Sequence, residues 1–225
     1  MKRTILTALA VAVAMCAAHS ADSPKLDTQK AKVGYLIGHN IGSGFRQDDV
    51  DLDFDALIGG LKEGMAGKEV KLTQEQIQAV MGAFRTEMEA KAKTKSAKLA
   101  EVGRNFLESN KKKPGVKVTA SGLQYEVLKS GKGKTPTAND NVTTHYTGKL
   151  VDGTVFDSSV ERGQPASFGV SGVIKGWTEA LQMMKEGDKW KLYIPYELAY
   201  GEQGRPPKIP PAAMLIFEIE LLKVN

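Results

Sequence analysis

The chain has 225 residues, 41% hydrophobic and 25% charged, with a formal net charge of +5, three histidines and one cysteine. That length suits one or two domains with cores of their own. The charge balance is too even for nucleic acid or an acidic membrane to be the main partner, and a single cysteine excludes a disulfide framework within the chain.

Lys2 and Arg3 precede an uncharged apolar run from Ile5 to Ala18, with small residues just beyond. The pattern predicts a signal peptide over residues 1–21 and hence a periplasmic or outer-membrane-associated protein. At about 14 residues the run is shorter than the ~20 needed to cross a bilayer. A bacterial lipoprotein box wants a small residue before its cysteine, and Met15 before Cys16 argues against a lipid anchor. Losing Lys2 and Arg3 lowers the net charge from +5 to +3 and removes the only thiol. The mature chain must then stand on buried apolar area and on association between chains.

Three helices are predicted in the N-terminal half. The first covers about Thr28 to Gly44, with Val33, Leu36, Ile37, Asn40 and Ile41 near one face. Asp53 reads as the N-cap of a second, striped by Phe54, Leu57, Ile58, Leu61 and Met65. The third opens on a capping box, Thr73 with Gln76, and meets no strong breaker before Pro114, although Gly82 and Gly103 weaken it. Some 40 residues of helix would extend about 60 Å. Its apolar stripe of Ile77, Val80, Met81, Phe84 and Met88 lapses over Glu89 to Lys98 and resumes at Leu99, Val102, Phe106 and Leu107. We expect a helical dimerisation module over residues 22–88, closed by a second copy of the chain, and an exposed connecting helix over 89–113. Met65, Met81 and Met88 suit either a core or a groove for varied apolar clients.

Around Lys111 to Gly115 the pattern changes, and Pro114 and Gly115 supply a local cause for the boundary. Over 114–225, strand-like segments at Leu123 to Leu128, Asn141 to Leu150, Thr154 to Asp157, Ala166 to Val170, Lys189 to Ile194 and Met214 to Val224 surround one short helix marked by Ile174, Trp177, Leu181 and Met184. One helix among so many strands can pack only on the sheet. The predicted class is α+β: a C-terminal curved antiparallel sheet wrapped around a short helix, joined by a long helix to an all-α module.

The chemistry is bounded by what is missing. Beyond the leader only His39 and His145 remain, in different halves, which leaves no histidine or cysteine metal cluster, and Gly131 to Lys134 lacks the context of a phosphate loop. No metal and no cofactor are expected. The second half instead carries aromatic residues at strand positions, by default a hydrophobic core. Asp157, a carboxylate beside Phe156 at a strand end, is more at home on a cavity rim.

His145-Tyr146-Thr147-Gly148, Val155-Phe156-Asp157-Ser158-Ser159, Val173-Ile174-Lys175-Gly176-Trp177, Ala199-Tyr200-Gly201 and Ile209-Pro210-Pro211 follow the order and spacing of FKBP-type peptidyl-prolyl cis-trans isomerases. The stretch from about Gly122 to Lys223 resembles that family. The whole layout is similar to its macrophage infectivity potentiator subfamily in Gram-negative bacteria, whose members dimerise through their N-terminal modules. The resemblance implies an isomerase of X-Pro bonds in proline-containing, partly folded polypeptides, open to the macrolide inhibitors of the family. It implies Trp177 as the floor of a prolyl pocket, with Tyr146, Phe156, Phe168, Val173, Ile174 and Phe217 as walls and Ile209 within the flap from Gly201 to Pro211. Asp157 and the Tyr200 hydroxyl would be the polar groups and the Ile174 N–H a donor to substrate carbonyls, so that Phe156, Asp157 and Tyr200 carry the catalysis. Arg205 and Lys208 stand where many members have histidine and an aliphatic residue. Chaperone activity through the dimer cleft is expected beside the isomerase, and a non-catalytic holdase chaperone or peptide-binding module using the same pocket is the competing expectation.

Overall fold

The structure, a computed structural model, describes residues 24–225, so the predicted signal peptide and Cys16 lie outside the described residues. The chain divides into two compact units between Glu69 and Val70.

The first unit carries two helices whose ends are set by local chemistry. In α1, Gln29–Gln47, the Thr28 hydroxyl accepts the Ala31 N–H at 3.1 Å. In α2, Phe54–Met65, the Asp53 carboxylate accepts the Ala56 N–H at 3.0 Å. Both caps satisfy donors that a helix start leaves unpaired. Neither helix contains a buried residue. Leu36 and Phe54 are more than half exposed and Met65 is 84% exposed, so the apolar stripes legible in the sequence are not buried within this unit.

The second unit opens with α3, Gln74–Asn110, a helix of 37 residues and hence about 56 Å. The capping box is formed: Thr73 accepts the Gln76 N–H at 3.2 Å and Gln76 accepts the Thr73 N–H at 2.9 Å. The exposed stretch expected over residues 89–113 is cut short. Ala100, Gly103 and Asn110 are buried, because the last turns of α3 dock on the β-sheet domain. Gly103, a weak point by helix propensity, is where the helix approaches most closely: a Cβ there would lie 3.2 Å from Met214 Cβ. Asn110 donates to Gln124 Oε1 at 3.1 Å, and Gln124 Nε2 donates to the Leu107 carbonyl at 2.9 Å. Among the described residues no helix is long and apolar enough to cross a membrane.

The domain that follows is built from β1 (Val116–Val118), β2 (Gln124–Lys129), β3 (Asn141–Lys149), β4 (Val155–Ser158), β5 (Ala166–Gly169), β6 (Lys189–Ile194) and β7 (Leu215–Val224), with α4 (Lys175–Leu181) between β5 and β6. The antiparallel sheet runs β1-β2-β6-β7-β3-β4, with β5 also paired to β3. Alternate residues turn inward in the manner of a strand with one dry face: Val142, Thr144, Tyr146 and Gly148 on β3, and Leu215, Phe217, Ile219 and Leu221 on β7. With Trp190, Leu192 and Ile194 of β6, the apolar members of these sets form one core with Trp177, Ala180 and Leu181 of α4. This is the α+β architecture expected from the pattern.

Two expectations change. β1 is an extra strand of three residues, too short to show a period of its own. The helix is shorter than the spacing from Ile174 to Met184 suggests: Ile174 is its N-cap and Met184 is buried just beyond its end. At seven residues, α4 would not persist alone in water and exists because the sheet covers it. Its fit depends on Gly176, where an added Cβ would meet Ile194 Cγ2 at 2.6 Å. Gly176→Ala should therefore destabilise the domain by about 1–3 kcal/mol, the usual cost of overpacking, read as a lower urea midpoint at unchanged slope.

Candidate active site

Five aromatic rings converge in the second unit. The Trp177 indole meets Tyr146 with centroids 5.2 Å apart, Phe217 at 5.2 Å and Phe168 at 5.7 Å, with interplanar angles of 83°, 82° and 85°. Phe156 in turn stands at 85° to Phe217, 5.5 Å away. Perpendicular packing of this kind sets the positive edge of one ring against the negative face of another. It also sets three rings upright around one indole.

Gly148 explains how the rings come so close. It pairs with Phe217 on β7 and lies opposite Asp157 on β4. A Cβ at this position would fall 2.6 Å from both Phe156 Cζ and Phe217 Cε1. The absence of a side chain there is what lets rings from two neighbouring strands share the inward face of β3.

At the edge of the cluster lies a charged group. The Tyr146 hydroxyl donates to Asp157 Oδ2 at 2.5 Å, and Arg162 binds Asp157 Oδ1 through one nitrogen while the other donates to the Tyr146 oxygen at 3.0 Å. The guanidinium also sits 5.7 Å from the centre of the Tyr146 ring. Burial works against the charged form of Asp157. The hydrogen bonds from Tyr146 and Arg162, with the nearby charges of Arg162 and Lys208, outweigh it and hold the carboxyl below the usual aspartate range. Burial, and then the hydrogen bond to Asp157, push the Tyr146 phenol up. The pair thus keeps a carboxylate and a neutral phenol.

The segment from Gly201 to Pro211 borders this group. Arg205 and Ile209 exchange backbone hydrogen bonds at 2.8 and 3.0 Å, and Ile209 is buried in the aromatic core. The Arg205 guanidinium lies 5.8 Å from the Tyr200 ring centre, and the Lys208 ammonium donates to the Phe156 carbonyl at 3.1 Å. Ile174 caps α4 with its carbonyl, while among the described residues its N–H has no intramolecular acceptor.

The structure gathers the residues singled out in the sequence. Tyr146, Phe156, Trp177, Ile209 and Phe217 are buried in one core, with Phe168, Val173, Ile174 and Tyr200 partly buried against it, and Asp157 joined through the Tyr146 hydroxyl. Arg162 was not among them. It comes from a turn five residues after Asp157, where neither periodicity nor a motif marks it. The Lys208 contact with Phe156 was equally invisible, since it joins positions 52 residues apart. Among the described residues no three histidine, cysteine or acidic side chains are grouped to hold a metal ion.

The comparisons with known proteins agree with this geometry. The family model described as "FKBP-type peptidyl-prolyl cis-trans isomerase" matches residues 132–222, and that described as "Domain amino terminal to FKBP-type peptidyl-prolyl isomerase" matches residues 30–127. The chain belongs to the FKBP-type peptidyl-prolyl cis-trans isomerases. Among its relatives is "Peptidyl-prolyl cis-trans isomerase Mip" of Coxiella burnetii, 44% identical over 229 residues that cover 100% of this chain and 99% of that one. "Outer membrane protein MIP" of Legionella longbeachae is 43% identical over 230 residues, again covering 100% and 99%. The crystal structure of FkpA from Escherichia coli matches with a TM-score of 0.66 at 37% identity, over 89% of this chain and 99% of that one.

For an FKBP-type isomerase, the lack of a nucleophile is no obstacle. Turning an X-Pro bond breaks the amide's resonance, over a barrier of about 20 kcal/mol, but no covalent bond. The Asp157 group has a defined pH dependence. A native pKa below the ordinary value stabilises the fold at any pH above that value, and the contribution is lost as pH falls through the depressed native pKa. On acidification below pH ~4, the wild-type isomerase should lose stability more steeply than Asp157→Asn, as measured by urea midpoints across the acid range.

Proposed function

We propose that the isomerase binds the prolyl ring over the Trp177 indole, between Tyr146, Phe156, Phe168, Val173, Ile174, Ile209 and Phe217. The observation that carries this reading is the set of three rings standing at 82–85° to the indole. An apolar floor with upright aromatic sides strips water from the substrate amide. Water favours the planar, charge-separated amide, so its removal brings the twisted conformer closer in energy. A millionfold acceleration needs about 8 kcal/mol off the barrier. Most of it is assigned to desolvation and to selective binding of the twisted form. A smaller share falls to Asp157, the Tyr200 hydroxyl and the free N–H of Ile174, which face the substrate's carbonyls. Macrolide ligands of the family would occupy the same space.

On this assignment Phe156→Leu should lower kcat/KM on a short proline peptide by about tenfold or more, and Asp157→Asn by less. The reverse order, with circular dichroism showing both variants folded, would move the main effect from desolvation to the carboxylate.

The first unit and the early turns of α3 act as a homodimerisation surface over residues 22–88. Support comes from its surface. Val33, Leu36, Ile37, Ile41, Phe54, Leu61, Val80 and Met81 are all 48–63% exposed. Gly34, Gly38 and Gly42 follow one another at four-residue spacing along α1, and a Cβ at each would meet nothing of the same chain within 4 Å. Glycine inside a helix costs about 1 kcal/mol against alanine, a cost that close approach of another helix offsets. Gly38→Leu should shift the protein in light scattering from twice the mass of one chain toward the mass of one.

The clients are exported polypeptides that fold outside the cytoplasm, reached by way of the predicted signal peptide and in keeping with a relative named as an outer membrane protein. The exposed apolar faces, with Met65 at 84% and Met81 at 57% exposure, favour a second role as a chaperone that holds unfolded chains. A chain beginning at Val70 should isomerise a short peptide as fast as the full chain yet refold a proline-limited protein several-fold more slowly. Equal refolding by both would assign all activity to the second unit.

A further inference from the structure

The segment bordering the aromatic cluster carries positive charge in addition to that of Arg162. Asp157 is already bound by Arg162. Arg205 and Lys208 add two exposed cations whose direct contacts are the Tyr200 ring face at 5.8 Å and the Phe156 carbonyl at 3.1 Å, the Lys208 charge also lying near enough to Asp157 to help lower its pKa. Among the described residues neither forms an ion pair, although Glu161, Glu197 and Glu202 lie exposed on the neighbouring loops.

Both cations are held in place by backbone. The turn from Arg205 to Ile209 is closed by hydrogen bonds in both directions and anchored by the buried Ile209 side chain. Before it, Gly204 has a φ of 64°, and any Cβ there would strike the Ile209 and Pro210 carbonyls at 2.5 Å. Lys208 then reaches from the turn to β4, beside Asp157. A charged side chain on a fixed turn loses less freedom on meeting a ligand than one on a mobile loop.

We propose that Arg205 and Lys208 form an anion-accepting rim that makes this isomerase prefer proline peptides with an acidic side chain next to the proline. The inference rests on the pocket reading given above, since it places the peptide beneath the turn. A carboxylate flanking the proline would meet the outward donors of both cations, while Lys208 keeps its bond to Phe156. A lysine at the same place would be repelled.

The test measures kcat/KM of the full chain on tetrapeptides that differ only in the residue before or after proline: Glu, Gln or Lys. The Glu-to-Gln ratio should be about threefold or more at low salt, at one of the two positions, as expected for exposed ion pairs. It should fall toward one at 1 M salt, where the screening length is about 3 Å. The Lys-to-Gln ratio should be below one. In the double variant Arg205→Gln, Lys208→Gln, both ratios should approach one at low salt. Because each ratio compares two substrates on the same enzyme, a partly misfolded variant lowers both rates and leaves the ratio readable. A wild-type Glu-to-Gln ratio of one at both positions, or a ratio that survives in the double variant, overturns the inference. The pocket reading is judged separately: Phe156→Leu with undiminished turnover on every peptide removes that reading, and this one with it.

Discussion

The structure depends on the burial of one indole. Trp177 sits on a helix of seven residues that could not hold itself together in water, and the helix is present because the sheet closes over Gly176, Trp177, Ala180 and Leu181. The same contacts that stabilise the helix aim the rings of Tyr146, Phe168 and Phe217 at the indole from three strands. Fold and site are therefore one object. A change that loosens the packing, such as extra volume at Gly148 or Gly176, acts on stability and on the pocket together.

That economy suits the reaction. An isomerase of X-Pro bonds has no leaving group to protonate and no covalent intermediate to stabilise, so the protein need only offer surroundings in which a planar amide is less favoured than a twisted one. The aromatic cluster is built from side chains that would be core in any other domain. The polar groups beside the rings are few: Asp157, held below the usual aspartate range by Tyr146 and Arg162, and Tyr200 near the turn. Arg205 and Lys208 stand on the neighbouring turn, against the Tyr200 ring and the Phe156 carbonyl.

The first unit follows the opposite logic. Its helices are well capped and regular, yet none of their residues is fully buried. Local hydrogen bonds decide where a helix starts, but marginal stability on the scale of a domain comes from apolar area removed from water. Two capped helices with exposed apolar side chains therefore carry little of that stabilisation within their own unit.

Much of this was legible in the residues. Capping at Asp53 and Thr73, the break before Pro114, the inward alternation along β3 and β7, and β6 from Lys189 to Ile194 all follow from interactions a few residues long. The five short motifs, read through their resemblance to a family, named residues that the fold gathers into one aromatic core with Asp157 at its edge. What the tertiary structure decided was contact between distant positions. Gly103 is a defect in an isolated helix and a point of close approach once Met214 lies against it. Asn110 looks like a solvated helix end and is buried because Gln124 meets it. Arg162 completes the charge balance of Asp157 from a turn without pattern, and Lys208 finds its carbonyl 52 residues away. Periodicity encodes which face of an element is apolar. Which partner covers that face, and which charge answers which, depends on long-range packing that no local spacing records.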